Sequence, residues 1–573
     1  MLMTIAMLCN NLLHAQSLLN KKVNVTSGSI AASNLLNSIS SQGNFNFSYS
    51  SDLIPQGKTV TLNGDSKTVK QVLDAVFEGK YQYKERGNYI IIQDGDAYTI
   101  SGYVVDRNTG EKISYASVYE NQQLASTLTN EQGYFKLKLK DKEQYPTAAI
   151  SVSKGMYADT LMYLKTGFDQ TLTVPIAPKD YILDSIVVHP QVEKNWLASL
   201  FISSKQRFQA MNIGSYIAKR PVQTSFVPGL GTHGRLGAQV VNKFSLNILG
   251  GYTAGANGVE IGGLFNIDKG NVRYVQVGGI FNVVGGSVAG VQIGGLYNST
   301  LDSLKGVQIS GLSGMARGKL EGVQLSGLVN YAAAGAKGVQ AGGIGNISAA
   351  KIQGVQIGGI YNFADSISGV QISGIGNISG GETEGIQASG IFNYAKDLKG
   401  TQIGIFNIAD TSTGYSLGLV NVVIKNGYHK LSIYTNEVLN TNVAVKTGTK
   451  KLYSILTAGA HIEKDKKAYG FALGLGKEIP IYKRFAMNTE ITSGIIYTGD
   501  WRETASLIHI VPELNYRLNQ YLSIHAGPSL AVYYQNATGH VEGYKASIPG
   551  YNTLPYSTYG SVWIGWQAGI DIF

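Results

Sequence analysis

His509, Glu513 and His525 come nearest to a reactive constellation in this 573-residue chain. In an extended chain, His509 and Glu513 share one face with Val511 and Asn515, and His525 shares one with Ser523 and Ser529, because successive side chains alternate. Two imidazoles and a carboxylate on neighbouring strands could line a polar constriction or touch a metal ion. Their spacing matches no metal-ligand signature, and ordinary lumen residues explain them as well. A second set is a ladder of amides, Gln276, Gln292, Gln308, Gln324, Gln340, Gln356, Gln371, Gln387 and Gln402. These could bind sugars through hydrogen bonds. The simpler use is to satisfy one another, since half-buried amides must find partners. Gly229-Leu-Gly-Thr-His-Gly234 has the form of a dinucleotide loop, but it sits in a glycine-rich hairpin with no helical pattern after it. No nucleophile, base and orienting group can be assembled from these residues. The expectation is a non-enzyme with no cofactor and no metal.

The Gln residues sit in a repeated phrase, as in Gly290-Val-Gln-Ile-Gly-Gly-Leu-Tyr-Asn298 and Gly354-Val-Gln-Ile-Gly-Gly-Ile-Tyr-Asn362. The residue before each Gln or Glu is Val259, Val275, Val291, Val307, Val323, Val339, Val355, Val370, Ile386 and Thr401, at steps of 16 or 15. A fixed short period marks a structural repeat. Within a unit the residues alternate: Val355, Ile357, Gly359, Tyr361 and Phe363 against Gln356, Gly358, Ile360, Asn362 and Ala364. Period two makes each unit a strand and a turn. That unit fits one strand of an antiparallel membrane barrel or one coil of a β-solenoid. Large and small residues alternate before the Asn (Val329, Gly345, Tyr361, Gly376, Phe392), a double period that favours inverted neighbours and hence antiparallel strands. Parallel register of Val291, Val307 and Val323 would decide for the solenoid.

Beyond the repeats, Ile508, Ile510, Pro512, Leu514 and Tyr516 alternate with His509, Val511, Glu513, Asn515 and Arg517. Leu522, Ile524, Ala526, Leu530 and Val532 alternate with Ser523, His525 and Ser529. Apolar out and polar in is what lipid on one side and a wet lumen on the other demand. Charged residues are 15% of the chain, there are 71 Gly and 35 Tyr, and mean hydropathy is near zero. No run after the N-terminus is long and apolar enough for a spanning helix. The fold class expected is mainly β: a transmembrane antiparallel barrel over 222–573, with the glycine-rich repeats at 258–423. It would have about twenty strands at ~16–17 residues each, the β-solenoid remaining the alternative for the repeats. A small α/β domain and a β-sandwich precede it. The net charge of +10 is dispersed, with no basic cluster interleaved with aromatics, so nucleic acid is not an expected partner.

Residues 1–16 read as a signal peptide, with an apolar centre and Ala15 near its end; the sole cysteine, Cys9, lies within it. Residues 17–95 read as strand, helix, two strands, a helix capped by Thr68, and a hairpin. That order, with Val-Thr-Leu-Asn-Gly-Asp-Ser-Lys-Thr-Val-Lys-Gln-Val-Leu-Asp-Ala-Val-Phe at 60–77, resembles the secretin and TonB N-terminal short domain. The resemblance implies a periplasmic module that contacts other envelope proteins. Residues 98–178 show short strands with regular turns. Ile100-Ser-Gly-Tyr-Val-Val-Asp-Arg-Asn-Thr-Gly-Glu111 and Thr127-Leu-Thr-Asn-Glu-Gln-Gly-Tyr-Phe135 resemble the carboxypeptidase-regulatory-like domain that precedes the plug of Bacteroidetes transporters. That module is not a peptidase. Ile182-Leu-Asp-Ser-Ile-Val-Val188 is similar to the phrase that introduces the plug in SusC-like TonB-dependent transporters, yet 179–221 is only long enough for a linker and short helix. The repeat-bearing region resembles the Leptospira and Bacteroidetes surface-repeat proteins.

Taken together, these readings imply an outer-membrane barrel protein with its N-terminal domains in the periplasm, acting as a pore or as a transport or signalling component. A surface solenoid adhesin or scaffold is the alternative. Outer-membrane lipid and a periplasmic envelope protein bound through 17–178 are the expected partners. Gln292, Gln308, Gln324, Gln340, Gln356, Gln371, His509, Glu513 and His525 are the residues expected to face the lumen. The segment Trp196 to Lys219 is expected to cover the periplasmic mouth, because Trp196, Leu197, Leu200, Phe201 and Phe208 need apolar cover.

Overall fold

The structure, a computed structural model, describes residues 17–573 except 51–52, 55–56, 79–80, 95–96, 142–145, 180–190, 215, 536–540, 546–547 and 549–552. The signal-peptide segment 1–16, Cys9 and the Ile182–Val188 phrase lie outside the described residues. The chain divides into two compact units, one formed chiefly by residues up to Val241 and one chiefly from Asn242 to Phe573.

In the first unit, helix α1 (Ala32–Gly43) and helix α2 (Val69–Phe77) pack on short strands around Leu36, Ile39, Leu73 and Val76. Thr68 begins α2 with a reciprocal capping box: its hydroxyl accepts from Gln71 N–H and the Gln71 side chain accepts from Thr68 N–H. Strands Tyr81–Arg86 and Tyr89–Asp94 form the hairpin. Residues 97–176 build a two-sheet sandwich. One sheet runs 125–128, 117–120, 147–153, 160–165; the other runs 134–140, 97–106, 170–176. Their inward residues, including Ile100, Phe135, Leu137, Ile150 and Val174, make one core.

Helices α3 (Trp196–Phe201) and α4 (Ser204–Asn212) follow. The α4 segment lies against the sandwich: Phe208 stacks on Tyr115 at 5.5 Å, and Asn212 Nδ2 donates to Tyr115 O at 2.7 Å. Trp196 and Leu200 remain 69% and 71% exposed. Nothing in their own unit encloses them.

In the second unit the repeats are a parallel β-solenoid of about eleven turns, not antiparallel strands of a twenty-stranded barrel. Val291 aligns with Val307, Val307 with Val323, and Val323 with Val339, all in parallel. Each coil has a seven-residue strand such as Leu304–Ser310, a bend at Gly311-Leu312, a four-residue strand such as Ser313–Ala316, and a turn. The large–small alternation has a different cause from inversion. A Cβ on Gly345 would lie 2.4 Å from Tyr361 O and 3.1 Å from its ring, and one on Gly376 would lie 2.4 Å from the Phe392 ring. The alternation is therefore a bulky ring leaning over a glycine of the adjacent coil. The glycine before each Val-Gln is needed for two reasons. Gly306 has φ +127°, and a Cβ there would sit 2.1 Å from Gly290 O one coil below.

Eight antiparallel strands then close into a barrel: Tyr428–Asn436, Thr441–Thr449, Leu452–His461, Ala468–Tyr482, Phe485–Tyr497, Ala505–Arg517, Leu522–Tyr534 and Gly560–Ile572. Closure is made where Leu431 to Asn436 pair with Ile572 to Gln567 of the last strand. Turns at 450–451, 483–484 and 518–521 span two to four residues, whereas the connections at the other end, 437–440, 462–467, 498–504 and 535–559, span four to twenty-five.

Candidate functional site in the two polar interiors

The residues expected to face one lumen belong to two separate interiors. Gln292, Gln308, Gln324, Gln340, Gln356 and Gln371 are completely buried or nearly so inside the solenoid. Each Gln Nε2 donates to the Oε1 of the coil before it: Gln308 to Gln292 at 2.7 Å, Gln324 to Gln308 at 2.8 Å, Gln340 to Gln324 at 2.8 Å. A second ladder runs the other way. Asn282 Nδ2 donates to Asn298 at 2.8 Å, Asn346 to Asn362 at 2.8 Å and Asn407 to Asn421 at 2.8 Å, each towards the next coil. The two rows of amide dipoles are opposed, but the Asn row is interrupted where Gly314 takes the Asn position, and Asn298 Nδ2 there donates to Ser310 Oγ at 2.8 Å. No sugar can reach amides at zero exposure; the ladder holds the coils together.

Both chains end on an acceptor. Gln276 Nε2 donates to Glu260 Oε2 at 2.8 Å and to Asp268 Oδ2 at 2.5 Å, and Asn247 Nδ2 donates to Glu260 Oε1 at 3.1 Å. Burial raises the Glu260 carboxyl above the ordinary carboxylate range, only partly offset by hydrogen bonds from Asp268, Gln276 and Asn247. At the other end Asn421 Nδ2 donates to Ser454 Oγ at 2.6 Å, and Asn421 N–H donates to Thr447 Oγ1 at 3.0 Å. These are outward-facing residues of the barrel wall, so the barrel caps the solenoid.

His509, Glu513 and His525 are brought together inside the barrel, where period two directs alternate residues inward. His525 Nδ1 lies 2.7 Å from Glu513 Oε2, and its Nε2 lies 3.5 Å from Asp571 Oδ1. His509 Nε2 is 3.3 Å from Glu437 Oε1, which also accepts from Trp563 Nε1 at 2.9 Å. Sequence reading missed the two lysines that organise this interior. Lys446 Nζ is 2.5 Å from Glu490 and 3.6 Å from Glu513. Lys430 Nζ is 3.2 Å from Glu478 and 3.3 Å from Asp571. All are almost fully buried. The signal that could have found them is parity. Lys446 breaks the run Val443-Ala-Val445 at an inward position, and Glu490 does the same before Ile491. Which strand each would face was not in the pattern.

Ion pairs from Lys430 and Lys446 to carboxylates on other strands cross this interior. A cavity of about 30 Å³ lined by residues including Tyr434, Asn442, Thr457 and His509 is room for a water or two. The arrangement can tie the barrel wall together by charge; among the described residues, no group of three His, Cys, Asp or Glu side chains could hold a metal ion. The outer wall is the reverse, with Ile433, Val445, Phe471, Ile491, Leu514, Ile524, Leu530, Trp566 and Ile570 between 39% and 51% exposed. Among the described residues no helix is long and apolar enough to cross a membrane.

In the first unit a polar cleft of about 640 Å³ is lined by Lys70, Asp74, Tyr83, Lys136, Lys138 and Asp169 among others. Burial raises the Asp74 carboxyl and the Tyr83 hydroxyl. The strand Tyr134–Lys140 is a sheet edge whose last residue is covered by Gln123, through Lys140 N–H to Oε1 at 2.9 Å and Nε2 to Lys140 O at 2.8 Å.

Residues 100–188 match the family model described as a CarboxypepD_reg-like domain, which covers the sandwich just described. None of the curated proteins matches the chain.

Proposed function

We propose that the protein is a non-enzymatic outer-membrane protein in which the eight-stranded barrel is a membrane anchor and the solenoid is a rigid scaffold joined to it. The observation that carries this reading is the polarity of the barrel: apolar side chains exposed on the outside of every strand, ion pairs buried inside. A soluble barrel would place them the other way, whereas a bilayer requires a closed sheet with an apolar outer wall. The short turns mark the periplasmic end and the longer connections the outer face, so the N-terminal units lie in the periplasm. In this reading the eight-stranded barrel is closed to bulk water, which is supported by the ion pairs of Lys430 and Lys446 that cross its interior. The domain in 100–188 and the middle of the Tyr134–Lys140 edge, at Lys136–Lys138 between the ends bonded by Asn130 and Gln123, suit recruitment of an envelope protein by strand addition. The short α/β module, which resembles the secretin and TonB short domain, would act beside it.

Outer-membrane fractionation with heat-dependent gel mobility tests the anchor. The full chain is expected to stay with membranes after alkaline extraction, and a chain ending at residue 423 is expected to be released. Planar bilayers containing the full chain are expected to stay silent, with or without residues 196–219. Release of the full chain, or steady conductance, would refute the reading. Periplasmic crosslinking that depends on residues 17–178 tests recruitment.

A further inference from the structure

The solenoid distributes polarity along each coil in an unusual way. Its inside is amide-filled beside the Gly-Gly bend and apolar beside the opposite turn, where Leu304, Ala316, Leu320 and Ile352 cluster. Its outside is the reverse. Around the bend the outer positions are aliphatic, as at Ile309 (38% exposed), Leu312 (44%), Ile357 (45%) and Ile360 (43%). Between Val259 and Asn421 every Lys, Arg, Asp and Glu other than the inward Glu260 and Asp268 lies in the opposite turns or in the strand residues that flank them, such as Arg273, Lys305, Glu321 and Lys337. Because the coils stack in register, each outer position becomes a stripe. Eleven coils at ~4.8 Å per strand give an apolar edge about 50 Å long.

We propose that this edge is sunk in the hydrocarbon of the same membrane that holds the barrel, so that the solenoid lies along the bilayer with its charged turns in water. The proposal rests on the anchor reading above. Three observations favour acyl chains over a protein partner. The edge has no charged group along its length, whereas protein interfaces carry a polar rim and anchoring hydrogen bonds. The coil backbones are bonded to the coils above and below, and the amides inside bond one another, which is the condition for backbone to enter lipid. The edge also runs into the barrel wall. Leu417 and Leu419 of the last coils share a groove of about 380 Å³ with Leu473 and Leu475 of the barrel. Lipid against that wall would meet the edge without a polar break.

The test uses the full chain with Cys9, its single cysteine, replaced by serine. Single cysteines at Ile309→Cys, Ile357→Cys, Lys319→Cys and Ile524→Cys carry a polarity-sensitive fluorophore. Each variant is inserted in phosphatidylcholine vesicles with or without brominated acyl chains. All four sites are at the surface, and each variant must show the parent β-sheet circular dichroism. Quenching by half or more is expected at 309, 357 and 524, with little at 319. Quenching at 524 but not at 309 and 357 would overturn this proposal and leave the barrel anchor standing. No quenching at 524 would remove the anchor reading and the proposal together. Unquenched 309 and 357 labels that form excimers as protein density rises would replace lipid by a second copy of the chain.

Discussion

Replacing Gln324 by Ala removes one rung from the Gln ladder and leaves two atoms without partners. Gln308 Oε1 loses the donor at 2.8 Å, and Gln340 Nε2 loses the acceptor at 2.8 Å. Both neighbours are about 0–1% exposed, so no surface rotamer can stand in. Each orphaned buried group costs about 1–3 kcal/mol, and the void adds to that. The change should therefore destabilise the stack by about 2–6 kcal/mol. In a solenoid each coil contacts only its neighbours, so the loss should be local. Hydrogen exchange read by mass spectrometry should show faster exchange in coils 304–316 and 336–348, by roughly thirtyfold or more at ~1.4 kcal/mol per tenfold. Coils near 259 and the barrel should be unchanged. Gln324→Leu separates the causes: it restores most of the volume but orphans the same two atoms. If Gln324→Leu exchanges like the parent, the amide chain contributes no stability and the reasoning fails.

Gly306→Ala places a methyl against Gly290 O at a φ of +127°; strain alone costs about 1–3 kcal/mol, and local exchange across 288–310 should rise, with Ala336→Gly as a milder control. Glu260 has a raised carboxyl in the folded chain, so its contribution is fully present below its unfolded pKa, ~4.3, and is lost as pH rises through the folded value. The first coils should loosen with rising pH, and Glu260→Gln should flatten that dependence in exchange measured from pH 5 to 8. Lys446→Met removes the cation shared by Glu490 and Glu513. Breaking such a buried network by one partner costs about 3–5 kcal/mol, read as a lower urea midpoint of the barrel in detergent micelles. An unchanged midpoint would mean the carboxyls are neutral there.

Much of this protein could be read from local pattern. The period of 16, the alternation in 505–534 and the capping box at Thr68 each depend on residues within a few positions, so strands, repeats and the helix start were legible. The sandwich at 98–178 was legible for the same reason. Whether Val291 lies beside Val307 in parallel or inverted was not, because a period-two strand has the same faces in either direction. The alternation of Tyr361 with Gly376 pointed to inversion, and its cause was contact between coils. The barrel was legible as alternation but not as eight strands, since strand number follows from where Leu431 meets Ile572, 141 positions away. Lys430, Lys446 and Asp571 were missed for the same reason. A charge at an inward position is visible in sequence, but its partner lies on a strand that only closure of the sheet brings across.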